Sequence, residues 1–183
     1  IAFKHYWFDM IISIFINATG SIIFYLEAIY LISYLKLNRG FPESDVSHLA
    51  NFCYVIMIFI TLFAGWLSDK IGRRIVIIFV SVGGAVSGLF LWQFSPDSLS
   101  LMILGGALYG MFAMQIFGMS AAHANDYAMS DEFVSVNGGL LLIYGIGSVI
   151  GPSVAPVVMT FAGPSAMFAY TALIQFLLAL YGI

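Results

Sequence analysis

Asp69 and Arg73 stand four residues apart in the run Gly65-Trp66-Leu67-Ser68-Asp69-Lys70-Ile71-Gly72-Arg73-Arg74, between two long apolar stretches. A carboxylate and a guanidinium at that spacing share a helix face and pair if the helix continues into the turn. These ten residues carry Asp69, Lys70, Arg73 and Arg74, out of nine acidic and six basic side chains in a chain of 183. Charge this dense belongs outside hydrocarbon, so the run reads as a tight loop joining two membrane-spanning helices. An ion pair that forms in one conformer and breaks in another biases a two-state equilibrium; the competing reading is a solvated marker of topology.

A second set of polar residues lies within apolar sequence. At 100° per residue, Asp9, Ser13, Asn17, Gly20, Ser21 and Glu27 fall within an arc of about 120° on one helix. If that span is centred in the bilayer, Glu27 lies roughly 8 Å from the midplane at 1.5 Å per residue. A carboxyl group at that depth is expensive and faces a cavity or a partner, which suits a group that takes up and releases a proton. The structural alternative shifts the span outward or gives Glu27 a hydrogen bond to a neighbouring bundle. Asn17 and Ser21 on the stripe, and Gln115 and Gln175 on later spans, read either as substrate contacts or as interhelical glue. Tyr25, Tyr30, Tyr34 and Trp92 read as cavity lining or as the interfacial aromatic belt.

The elements that must hold these groups follow from composition. With 62% hydrophobic and 8% charged residues and a mean hydropathy of +1.03, the chain is far from a soluble domain. It is expected to be an all-α integral membrane protein. Six segments are long enough to cross: Phe8 to Leu35, Leu49 to Leu67, Ile75 to Phe94, Leu99 to Ala122, Phe133 to Phe161 and Ser165 to Ile183. Short breaks with turn chemistry or charge separate them: Lys36 to His48, Ser95 to Ser98, His123 to Glu132, and Gly163-Pro164. Counting basic residues by face gives Lys4, Lys70, Arg73 and Arg74 against Lys36 and Arg39, which puts the charged loop and both ends of the segment in the cytoplasm. Asp126, Asp131 and Glu132 share that face. Ser130 is expected to cap the fifth helix, with Asp131 and Glu132 in its first turn.

Gly84 with Gly88, and Gly106 with Gly110, have the small-xxx-small spacing that lets helix backbones approach closely. The fifth span carries Gly147, Gly151 and Pro152, then Pro156, and reads as a kink, either one that bends beside a substrate pathway or a static packing device. The lone Cys53 forms no intrachain disulfide and reads as a small buried hydrophobe. His123 and Asp126, three apart at a helix end, supply two ligands where structural zinc takes four, so no metal is expected. A net charge of −3 without a basic cluster points away from nucleic acid. No nucleophile with its base and no phosphate-binding glycine loop appears, so neither an enzyme nor a cofactor is expected.

The run from Gly65 to Arg74 resembles the signature loop of the major facilitator superfamily, G-x-L-S/A-D-R/K-x-G-R-R. The stretch Phe24 to Tyr30, with Gly65 to Arg74, resembles the seventh and eighth helices of bacterial members, and Ala122 to Asp126, Phe133-Val134, Asn137 to Gly147 and Gly151-Pro152 resemble the tenth and eleventh helices of the YcaD-like bacterial branch. That resemblance implies six helices forming one half of a major-facilitator fold, a 3+3 inverted repeat. Residues 1–183 are then one bundle, helices seven to twelve of twelve. It also implies that Asp69 caps a helix of the opposite half and holds the cytoplasmic side closed in one state. With no Met before Ile1 and an apolar run still in progress at Ile183, the chain is expected to be a piece of a longer protein. Its expected partners are the lipid bilayer of a bacterial inner membrane, the missing N-terminal six-helix half and a small-molecule substrate. The expected function is alternating-access, proton-coupled transport; the competing one is a membrane scaffold that kept the fold and lost transport.

Overall fold

The computed structural model describes residues 20–21, 23–24, 32–37, 40, 42–94, 99–129 and 131–182. The expectations for Asp9, Ser13, Asn17, Tyr25, Glu27, Tyr30 and Ser130 lie outside these residues, as does most of the first span. Among the described residues every regular element is helical. In chain order these are α1 (Ile32–Leu37), α2 (Glu43–Ile71), α3 (Arg73–Phe94), α4 (Leu99–Ala113), α5 (Gln115–Asp126), α6 (Phe133–Ala162) and α7 (Ala166–Gly182).

Several boundaries differ from those read in the sequence. The loop expected from Lys36 to His48 is shorter, because α2 begins directly after Pro42, with Glu43 and Asp45 in its first turn, where carboxylates complement the helix dipole. At its other end α2 winds Ser68, Asp69 and Lys70 into the helix and stops at Gly72. Gly72 has φ 98°, a backbone region that costs a residue with a Cβ, and its N–H reaches the Ser68 carbonyl at 3.0 Å. Helix α3 starts at the next residue, so the turn between two spans is one residue long.

The fourth span is not continuous. It divides at Met114 into α4 and α5, and the Met114 N–H meets the Gly110 carbonyl only at 3.4 Å. The expected cap of the fifth helix is also corrected. Helix α6 begins at Phe133 with Glu132 at its N-cap, no side-chain cap and no acid in its first turn. Asp131 and Glu132 therefore precede the helix. The Glu132 carboxylate instead accepts from the Met129 N–H at 3.2 Å, because a local turn bond satisfies it before the helix can. Helical structure runs unbroken through Pro152 and Pro156, with Gly147 and Gly151 buried.

Helix α3 sits at the centre, touching α2, α4, α5 and α7. Its small residues are why. A Cβ added at Gly84 would stand 1.6 Å from Oε1 of Gln175 on α7, and one at Gly88 would lie 3.1 Å from the Ala172 Cβ. Gln175 is fully buried and neither amide atom has a hydrogen-bond partner among the described residues. It glues α7 to α3 by filling the Gly84 notch rather than by polar contact. On α4 a Cβ added at Gly105 would meet Leu91 at 2.7 Å. Around this seam Val76, Val80, Leu91, Tyr109, Ile116, Met167 and Phe168 form the apolar core.

The outer helices are different. The most apolar stretch of α2 is 6% buried and that of α6 17%, against 44% for α3. Helices α2, α3 and α6 and the run Ile103–Asp126 are long and apolar enough to cross a membrane, and Ala166–Leu180 is a shorter apolar helix.

Candidate functional site

Two polar constellations stand out, one inside the bundle and one at the end that carries the charged turn. Inside, Ser21 is fully buried and its hydroxyl donates to the Tyr144 carbonyl of α6 at 3.0 Å. The backbone beside it packs on α5, since a Cβ at Gly20 would lie 3.3 Å from the Phe117 Cβ. Phe117 in turn packs against Tyr144, with ring centroids 4.7 Å apart and the planes tilted by 59°. Three chain segments thus meet at one point.

Gln115 opens α5 directly after the break at Met114, near the middle of the run from Leu99 to Asp126. It is 3% exposed, and its Nε2 lacks a hydrogen-bond partner among the described residues. An amide donor buried this way in a membrane helix costs free energy unless something polar reaches it. The structure therefore brings Ser21 into contact with α6 and places Gln115 two residues from Phe117 on the same short helix. Asn17 and Glu27, the other two expected pathway residues, lie outside the described residues.

The charged end is organised by Arg73, the first residue of α3. Its Nη2 lies 3.0 Å from Oδ1 of Asp69, four residues earlier and across the Gly72 break. Pairing did not require a continuous helix. Its Nε donates to Oδ2 of Asp126 at 2.5 Å, a residue 53 positions away at the end of α5. The planar guanidinium fork presents donors on two edges, which lets a single side chain hold two carboxylates. Arg73 keeps 25% of its side-chain exposure, against 62% for Asp69 and 47% for Asp126. Lys70 turns away and sits 4.1 Å above the Trp66 ring. Gly65 faces open space, and Arg74 is exposed.

Sequence reasoning read Asp126 as a neighbour of His123 and missed it as the partner of Arg73. The usable signal was an acid closing the fourth span on the same membrane face as a basic turn. His123 instead meets Tyr127 edge to face at 5.2 Å. Next to Asp126, Asn125 exchanges amide hydrogen bonds with Asn137 of α6: Asn125 Nδ2 to Asn137 Oδ1 at 3.2 Å, and Asn137 Nδ2 to Asn125 Oδ1 at 2.9 Å.

At the opposite end Lys36 and Glu43 pair at 2.5 Å. The Lys36 hydrogen bond, then its charge, holds the Glu43 carboxyl below its ordinary value.

Long apolar helices, small-residue seams and an Arg-centred link between two turns define a polytopic integral membrane protein. Comparison with known proteins gives the family. The sequence model of the Major Facilitator Superfamily matches residues 10–183, and the chain belongs to that superfamily. It is 28% identical over 160 residues to the uncharacterized MFS-type transporter YcaD of Escherichia fergusonii, covering 83% of this chain and 39% of that protein. It is also 29% identical over 133 residues to the cis,cis-muconate transport protein of Acinetobacter baylyi, covering 70% of this chain and 30% of that one. Among solved structures, the POT family transporter PepTSo superposes with a TM-score of 0.77 at 18% identity, over 94% of this chain and 36% of that chain. An auto-inhibited POT family peptide transporter gives 0.72 at 22% identity, over 93% and 35%. The chain thus spans well under half the length of these relatives, and its helices have the fold of one half of a major facilitator.

Proposed function

We propose that residues 1–183 are helices seven to twelve of a secondary transporter that moves a small solute across a bacterial inner membrane by alternating access. The observation that carries this is Arg73 holding Asp69 and Asp126 together, because it ties the α2–α3 turn to the end of α5 through contacts that a modest motion breaks. These charges close the cytoplasmic side in one conformer, with Asp69 also facing the N-terminal half. Positive charge on the turn supports that orientation.

Inside the bundle, Ser21 and Gln115 form part of the pathway wall, and Asn17 and Glu27 join them. Glu27 is the proton-coupling group. The buried Gln115 Nε2, without a hydrogen-bond partner among the described residues beside the loosened turn at Met114, supports a polar wall there, since carriers expose polar groups to substrate near the midplane. The name of the Acinetobacter relative makes a small organic acid the first substrate to try. Gly147, Gly151 and Pro152 supply the flexion of α6.

The test uses the full-length protein with Cys53 replaced by Ala and single cysteines placed along α5. In a transporter, positions near Gln115 react with an impermeant maleimide from both membrane faces, and Arg73→Ala raises labelling from the clasp side at the expense of the other. Labelling from one face only, unchanged by Arg73→Ala, identifies the scaffold instead. In transport-competent vesicles, Glu27→Gln abolishes proton-driven accumulation of cis,cis-muconate and spares its exchange; a wild-type pH profile in that variant removes Glu27 from coupling.

A further inference from the structure

The Asp126 carboxylate reaches Arg73 only if the last turn of α5 points toward α3. At that turn Tyr127 continues in helical geometry and its N–H is shared between the carbonyls of Ala124 and Asn125. What ties it sideways is the amide exchange between Asn125, next to Asp126, and Asn137 of α6. Asn137 is itself fixed, because its Nδ2 also donates to the Phe133 carbonyl of its own helix at 2.7 Å. Both Nδ2 hydrogens are thus used, one on each helix. The chain of contacts runs from the first turn of α6 through Asn137, Asn125 and Asp126 to Arg73 and Asp69. Both amides are only partly buried, so the exchange opens without stranding a dry polar group.

We infer that Asn125 and Asn137 are positioning residues for the Asp126–Arg73 pair, so that displacing the start of α6 releases the charged clasp. This rests on the gating role proposed above for that clasp. Interhelical amides also occur as plain glue, which stabilises a bundle without selecting a conformer. The two roles differ in what they move.

The experiment uses the full-length protein with Cys53 and any further native cysteine replaced by Ala, and with spin labels on Lys70→Cys and Met129→Cys. Both sites are exposed, one in the last turn of α2 and the other in the turn after α5. The distance between labels then reports whether the two turns are clasped. Asp126→Asn is expected to add a longer-distance population, and Asn125→Ala and Asn137→Ala to add the same population to a similar extent. Combining Asn125→Ala with Asp126→Asn should lengthen nothing further, since residues acting in one device are not additive. Asn125→Ala cuts only the two bonds between helices and leaves Asn137 on the Phe133 carbonyl, so it carries the test if Asn137→Ala does not fold. Thermal unfolding of the same samples separates the roles. If the Asn variants lower the melting temperature and leave the distances at wild-type values while Asp126→Asn lengthens them, the amides are glue and the inference fails, with the clasp reading intact. If Asp126→Asn itself leaves the distances unchanged, the clasp does not hold the turns and both fall.

Discussion

The seam between α3 and α7 and the clasp at the charged end hold helices together by opposite means. At the seam, Gly84 and Gly88 admit Gln175 and Ala172 so closely that a Cβ at Gly84 would collide, and the residues are buried. At the clasp, contact is made by charged groups that stay partly exposed and lose little when they exchange protein for water. Steric interlock resists any displacement, whereas an exposed ion pair sets only a small difference between two states. A bundle that must move as a rigid unit against something else needs the first in its interior and the second at its rim.

Gly84→Ala is the strongest test of that contrast. A methyl group there collides with the Gln175 amide and should destabilise the bundle by about 1–3 kcal/mol, read as a lower unfolding temperature in detergent. Adding Gln175→Ala removes the collision and should restore most of the loss; without recovery, the seam is not steric. Next comes Arg73→Ala, which leaves two carboxylates without their shared donor. About 1–2 kcal/mol is expected in unfolding, together with the change in sidedness described above. Equal loss with unaltered sidedness would make the clasp a second seam. Asp126→Asn removes one exposed pair and should cost only about 0.5–1 kcal/mol, with an effect that shrinks at high salt.

The smallest effect belongs to Lys36 and Glu43. Because the folded pKa of Glu43 lies below the ordinary value of 4.5, its contribution is present above that pH and is lost as pH falls through the lowered value. Cysteine-free protein should therefore exchange its amides over residues 32–48 more slowly than Glu43→Gln at neutral pH, and the difference should close as pH falls below 4.5. Identical exchange in the two proteins at neutral pH would exclude the pair as a tether.

Legibility in the sequence followed the range of the interaction. Apolar runs and the ten-residue turn located the spans, because hydropathy and charge density act residue by residue. Asp69–Arg73 was readable for the same reason, as a four-residue spacing. The loosened turn at Met114 was not, since Gly110 is the sole weak helix former between Gly110 and Gln115 and glycine is common in membrane helices. Asp126 was seen but given the wrong partner: its guanidinium lies 53 residues away, and pairing across that distance is a product of the fold. Gly84 was assigned a packing role, though spacing alone did not reveal that a glutamine side chain, rather than a second backbone, fills the notch.

The single-residue turn at Gly72 also constrains how the molecule is made. Helices α2 and α3 have 29 and 22 residues and only Gly72 between them, so the second cannot wait on the ribosomal side while the first settles into lipid. The pair is expected to enter the membrane as one hairpin, carrying Asp69, Lys70, Arg73 and Arg74 at its tip. Charges at the tip anchor it at one membrane face, and the left-handed glycine fixes the reversal. Lengthening this turn would uncouple the two insertion events and delay the meeting of Arg73 with Asp126, a partner synthesised 53 residues later.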